Sequence, residues 1–165
     1  MKVEVVYALP AAADAVSVSV PAGATVRDAV LASGVLERHP ELRVVVDHGA
    51  KPRVRDGEIA SWAALMATIA VHPQVSCKLS GLVTEAPPDA DLETLRPYVA
   101  TLLELFGPRR LLWGSDWPVV ELAGGYDRWH NLAREALSGL DAAAQADVFG
   151  GNAERVYLDS RRVAR

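Results

Sequence analysis

Val3, Val5 and Tyr7 alternate with Lys2 and Glu4, and Val16, Val18 and Val20 alternate with Ser17 and Ser19. A period of two puts the apolar residues on one face of a pleated chain, so both stretches predict half-buried strands. Leu9-Pro10-Ala11 breaks the first and Pro21-Ala22-Gly23 ends the second. The short connection between them suits an antiparallel hairpin. Thr25 with Asp28 three residues later is a capping-box-like start to a short helix that buries Val26, Ala29 and Val30 and stops at Gly34.

After His39-Pro40 the pattern changes. Val44-Val45-Val46 is a continuous β-branched run, which suits a parallel strand covered on both faces. Ile59, Trp62, Ala63, Met66, Ile69 and Ala70 share one helical face that ends at His72-Pro73. The stretch Val75 to Ser80 is a strand with an apolar and a polar side, and a helical pattern runs from about Leu92, reset at Pro97, to Gly107-Pro108. Leu111-Leu112-Trp113 begins a third strand, and Tyr126, Trp129, Ala133, Ala136 and Leu137 mark the helix behind it. Asp141 can cap a short helix to Phe149, and Asn152 another that ends near Tyr157. Three successive strand-helix units predict a parallel α/β sheet or part of a barrel.

Length sharpens that choice. A closed eight-stranded (β/α) barrel needs about 250 residues, and this chain has 165, so it holds only some of the units. A net charge of −4 provides no basic field, which argues against nucleic acid or an anionic membrane as partner. Arg161, Arg162 and Arg165 read as a solvated tail. The single cysteine, Cys77, can form neither an internal disulfide nor a multi-thiolate metal site. No run of about 18 apolar residues suggests a membrane span, and the charged, alternating start is unlike a signal peptide. A cytoplasmic location is the expectation.

In parallel α/β folds ligands gather at the carboxyl ends of the strands. Asp47-His48 follows the valine run directly, and Asp116 follows Leu111-Leu112-Trp113-Gly114-Ser115. A carboxylate and an imidazole on neighbouring strand ends can share a water as base and partner, or ligate one metal. The alternative is that both aspartates cap loops or helices while His48 packs a turn. Lys78 lies on the polar side of its strand with Ser76 and Ser80. There it holds an anionic substrate or an oxyanion in a barrel lumen, or is solvated on an edge strand. Lys51, in the loop after His48, has the same two readings. His39, His72 and His130 suit surface or capping roles, and Trp62 and Trp129 suit the core. Trp113 and Trp117 flank Asp116 and either wall a pocket or pack the core. There is no G-x-G-x-x-G, P-loop or G-x-S-x-G motif, so nucleotide and serine-hydrolase readings lack support.

Four segments, in order, resemble the late motifs of the amidohydrolase-related lactonases, the family of sugar-lactone and pyrone-lactone hydrolases. They are Val46-Asp47-His48-Gly49-Ala50-Lys51-Pro52, Cys77-Lys78-Leu79-Ser80-Gly81-Leu82, Arg110-Leu111-Leu112-Trp113-Gly114-Ser115-Asp116-Trp117-Pro118 and Phe149-Gly150-Gly151-Asn152-Ala153. The resemblance covers about Arg43 to Leu158. It implies a hydrolase that opens a lactone by activating water, with Asp116 as last-strand base or metal ligand, His48 as its partner, and Lys51, Lys78 and Trp117 at the substrate. That family supplies two further histidines from an Asp-x-His-x-His motif on its first strand, and this chain contains no His-x-His. Zinc or manganese belongs to the complete family, but with only His48 and Asp116 at plausible strand ends no tightly bound metal or other cofactor is expected.

The first forty residues look different. Val3-Glu4-Val5-Val6-Tyr7-Ala8-Leu9-Pro10, Val20-Pro21-Ala22-Gly23-Ala24-Thr25-Val26-Arg27 and Ser33-Gly34-Val35-Leu36-Glu37-Arg38 resemble the start of the ubiquitin-like β-grasp proteins associated with the Rnf electron-transport system. The two resemblances meet near Leu36 to Leu42. The expected fold is therefore α/β, with a β-hairpin and helix of β-grasp type over 1–42 and a partial (β/α) barrel of about three parallel strand-helix units over 43–165. The expected function is lactone hydrolysis, impaired because the first barrel strands are absent. The alternative is a non-enzymatic ubiquitin-like interaction module or an inactive fusion remnant. The expected partner is a small-molecule lactone, and unpaired strand edges favour a homo-oligomer.

Overall fold

The computed structural model describes residues 1–8, 13–40 and 42–158, and its chain separates into two units, Met1–Leu42 and Arg43–Arg165. The expected break at Leu9-Pro10-Ala11, Glu41 in the junction, and the tail of Arg161, Arg162 and Arg165 lie outside the described residues.

In the first unit, strands β1 (Lys2–Ala8) and β2 (Ala13–Ser19) pair antiparallel, with Val3 opposite Val18 and Val5 opposite Val16. The alternation thus gathers the valines on one face, where Val18 and Val20 are buried with Ala29 of α1 (Val26–Ser33). The capping box forms as expected: Thr25 Oγ1 accepts from Asp28 N at 3.2 Å and the Asp28 carboxylate accepts from Thr25 N at 2.8 Å. Gly34, at φ +64°, ends the helix. A short helix α2 (Val35–Arg38) follows and buries Val35 and Leu36. Arg38 Nη2 and His39 Nε2 reach back to Asp14 Oδ2 at 3.1 and 2.7 Å.

The second unit holds a parallel sheet in the order β3 (Val44–Val46), β4 (Val75–Leu79), β5 (Leu111–Trp113). Helices α3 (Ala60–Ala70), α4 (Leu92–Phe106) and α5 (Gly125–Ala136) each follow one strand, so this unit is a mixed α/β fold built on strand-helix units. The register sets Val75, Cys77, Leu79, Leu111 and Trp113 on one face and Ser76, Lys78 and Leu112 on the other. Val75, Cys77, Leu79 and Leu111 are fully buried and form the centre of the core.

Three expectations change. The Val44-Val45-Val46 run is only half-buried, on an edge strand of the sheet, and is not covered fully on both faces. Pro97 does not reset α4, which is continuous from its cap Asp91 to Gly107. A proline removes its own N–H bond and crowds the carbonyl four residues back, and burial of Leu95, Tyr98, Val99, Leu102 and Phe106 sustains the helix around it. Asn152 does not cap. Helix α6 (Ala142–Ala146), capped by Asp141, runs through a π-helical turn (Asp147–Gly151) into α7 (Asn152–Tyr157). The buried amide of Asn152 instead donates to Pro108 O at 2.7 Å and Leu111 O at 2.6 Å, tying α7 to the start of β5.

Candidate active site at the strand ends

The chain leaves β3 through four consecutive left-handed residues, His48, Gly49, Ala50 and Lys51, with φ between 50° and 58°. Beyond β5, Asp116 is also left-handed at φ 61°. Gly49 apart, these are the positive-φ non-glycine residues among those described, and all follow the carboxyl ends of strands. L-residues pay roughly 1–2 kcal/mol for this conformation, so the surroundings must hold it in place. Two buried tryptophans contribute. Trp62 Nε1 on α3 donates to Gly49 O at 2.8 Å, and Trp129 Nε1 on α5 donates to Gly114 O at 2.8 Å. Both are core residues, as their helical spacing suggests, but each also pins the loop that follows a strand.

The loops bring His48 and Asp116 together. His48 Nε2 lies 3.6 Å from Asp116 Oδ1 and 3.3 Å from Asp47 Oδ2. At 3.6 Å the first pair is an electrostatic contact and too long for a hydrogen bond. His48 Nδ1 lies 2.9 Å from Ser80 Oγ. The Thr84 hydroxyl donates to Gly81 O at 2.8 Å and also reaches Asp116 Oδ2 at 3.3 Å.

Lys78 is on the central strand, half-exposed, with Nζ 3.0 Å from Asp47 Oδ1. Asp47 therefore bridges Lys78 and His48. Burial alone would raise the Asp47 carboxyl, but the Lys78 hydrogen bond and the charges of His48 and Lys78 outweigh it and hold the group below the usual carboxylate range. The same hydrogen bond raises Lys78 above the ordinary lysine value against the opposing effect of burial. An ammonium is thus secured beside the His48 and Asp116 pair.

The other sequence candidates are more distant in role. Lys51 Nζ pairs with Glu85 Oε1 at 3.3 Å, and both line a cavity of about 210 Å³ together with Thr84, Val119 and Leu122. Trp117 is 71% exposed, so it packs no core. Trp113 turns the opposite way, into a ring cluster with Tyr126, His130 and Phe149 at centroid distances of 5.4 to 5.6 Å. His130 is stacked on Tyr126 within that cluster, where a surface role was expected. Ser80 and Thr84 are contacts that the spacing did not single out as site residues, although Ser80 directly follows β4, while Asp47 is the carboxylate that the sequence pointed to together with His48.

A catalytic zinc takes three protein ligands and keeps one open position. Here His48 Nε2 and Asp116 Oδ1 converge, while Asp47 is bound to the Lys78 ammonium, a cation that repels a second one. Among the described residues no group of three or more His, Cys, Asp or Glu side chains could hold a metal ion. This donor set does not fit such a zinc.

The parallel α/β sheet thus brings a carboxylate and an imidazole together at its strand ends. The amidohydrolase family model matches residues 6–158, and the chain belongs to that family. It is 46% identical over 130 residues to an L-fucono-1,5-lactonase of Burkholderia ambifaria, a match covering 75% of this chain and 44% of that protein. A zinc-bound crystal structure of an amidohydrolase from Burkholderia multivorans superposes with a TM-score of 0.68 at 40% identity, covering 73% of this chain and 45% of that one. The chain thus spans under half the length of these relatives. A shorter stretch is 61% identical over 41 residues to the protein RnfH of Burkholderia mallei, covering 25% of this chain and 37% of that protein. The chain is fusion-like, joining a long amidohydrolase stretch to a short one similar to RnfH.

Proposed function

We propose that the chain hydrolyses the ring ester of a small sugar-type lactone, using residues 43–158 as the closing part of a (β/α) barrel, with residues 1–42 forming a partial β-grasp segment. The similarity to L-fucono-1,5-lactonases supports the reaction class. The observation that carries the reading is the meeting of His48 and Asp116 at 3.6 Å on strained strand-end backbone. In this reading Asp116 takes a proton from water and the water oxygen bonds to the lactone carbonyl carbon. His48 and Lys78 face the developing oxyanion. The ring C–O bond then breaks, and the leaving oxygen recovers the proton from Asp116. This reading assigns Lys51 and Trp117 to substrate contact.

The rate is expected to be low. Catalytic groups act as a unit, and this sequence holds no His-x-His pair to join His48 and Asp116. The test is a panel of lactones with and without added zinc or manganese, comparing the native chain with Asp116→Asn. Turnover lost in Asp116→Asn supports the assignment, and turnover that survives the substitution removes Asp116 from the mechanism.

A further inference from the structure

The imidazole of His48 meets carboxylates on one side and a single hydroxyl on the other. Nε2 faces Asp47 Oδ2 and Asp116 Oδ1 at 3.3 and 3.6 Å, while Nδ1 faces Ser80 Oγ at 2.9 Å. An ionised carboxylate only accepts, and a neutral imidazole has one proton to place. That proton is best placed on Nε2, where both neighbours are acceptors. Nδ1 then presents a lone pair, and the Ser80 hydroxyl donates into it. Ser80 is 1% exposed, so bulk water does not compete for that bond.

The next residue shapes the seat. Gly81 has φ +68°, and a Cβ built there would lie 2.9 Å from His48 Cβ, 3.0 Å from Cγ and 3.1 Å from Nδ1. Any side chain would push the ring off its position, so glycine is required both by the backbone and by the ring lying against it.

We propose that Ser80 and Gly81 are positioning residues that seat the His48 imidazole and fix it as the Nε2–H tautomer, with that N–H aimed at the two carboxylates. The consequence for catalysis rests on the lactonase reading: His48 acts as a donor, and Asp116 is the group free to take a proton from water. The tautomer itself does not depend on turnover.

The test is long-range proton–nitrogen NMR of the full ¹⁵N-labelled chain, at a pH well above the ordinary imidazole range, with the His48 signals assigned through His48→Gln. The wild-type ring is expected to show the Nε2–H pattern. Ser80→Ala is expected to convert it to a tautomer mixture, Ser80→Thr to retain it, and Gly81→Ala to shift both ring nitrogens. A wild-type ring in the Nδ1–H form, or a mixture, overturns the proposal without any variant having to fold. So does a folded Ser80→Ala chain whose pattern is unchanged. A chain that opens no lactone yet shows the Nε2–H pattern refutes the catalytic reading and keeps this one.

Discussion

Arg110→Met is expected to destabilise the second unit by roughly 3–4 kcal/mol. The guanidinium sits where two helices end and a strand begins. Its Nε donates to Phe106 O at 3.1 Å and Nη2 to Leu105 O at 3.0 Å, at the end of α4. Nη1 reaches Ala70 O at 2.9 Å, His72 O at 3.1 Å and Val75 O at 3.0 Å, between α3 and β4. Nη1 carries two hydrogens for three acceptors, so the set amounts to about four full bonds. Charge-assisted bonds are worth about 1.5–3 kcal/mol each, which bounds the loss from above. Burial of the guanidinium, which lowers its pKa, is a cost that the substitution returns. Methionine keeps an apolar stem but loses the guanidinium 5.2 Å from the Phe106 ring centroid, so the measurement reads the hydrogen-bond and cation-π loss together. All four tryptophans lie in residues 43–158, so their fluorescence during urea titration follows this unit. A stability within about 1 kcal/mol of wild type at equal slope refutes the reasoning.

Two further outcomes follow from titrating groups. Burial pushes the Cys77 thiol up to about 12, so a thiol-specific reagent at about pH 8 should leave the native chain unmodified and react once it is unfolded; labelling of native protein at the rate of a free thiol contradicts this. The depressed Asp47 carboxyl contributes stability that is present above the ordinary carboxylate range and is lost as pH falls through its lower folded value. Because the pair is partly exposed, the gap in urea stability between wild type and Asp47→Asn should be under about 1 kcal/mol at neutral pH and close in acid. A gap that widens in acid reverses the assigned sign.

Periodicity made much of the secondary structure legible. The alternating valines, the Thr25 and Asp28 box, and the apolar faces around Trp62 and Trp129 each report a local preference, and the corresponding elements form. What was illegible depends on contacts distant in sequence. Pro97 reads as a break in isolation, yet burial along α4 carries the helix through it. Asn152 has the chemistry of a cap, but its amide finds Leu111 O, 41 positions away. The valine run of β3 reads as doubly covered, yet all three valines are only half-buried once the sheet is assembled. At the strand ends, His48, Lys78 and Asp116 could be picked out as polar residues following apolar runs. Their partners could not, because nothing in the spacing sets Ser80 beside an imidazole or Thr84 beside a carboxylate.

The backbone of this region separates chemistry from convenience. A left-handed position is most cheaply filled by glycine, and the chain does so at Gly49 and at Gly81, where a side chain would collide with His48. At His48, Lys51 and Asp116 it keeps a polar side chain, proposed for the site, on the same kind of backbone. Glycine there would relieve strain but remove the imidazole, the ammonium or the carboxylate. Ala50 brings no such group, and its φ of 58° follows from its place inside the continuous run between His48 and Lys51. Retaining that run requires compensation from outside the loop, and the indole N–H of Trp62 supplies it from the helix behind. Core packing and site geometry therefore share atoms: a side chain that reads as a core residue also holds the residue proposed for catalysis in a conformation it would not adopt alone.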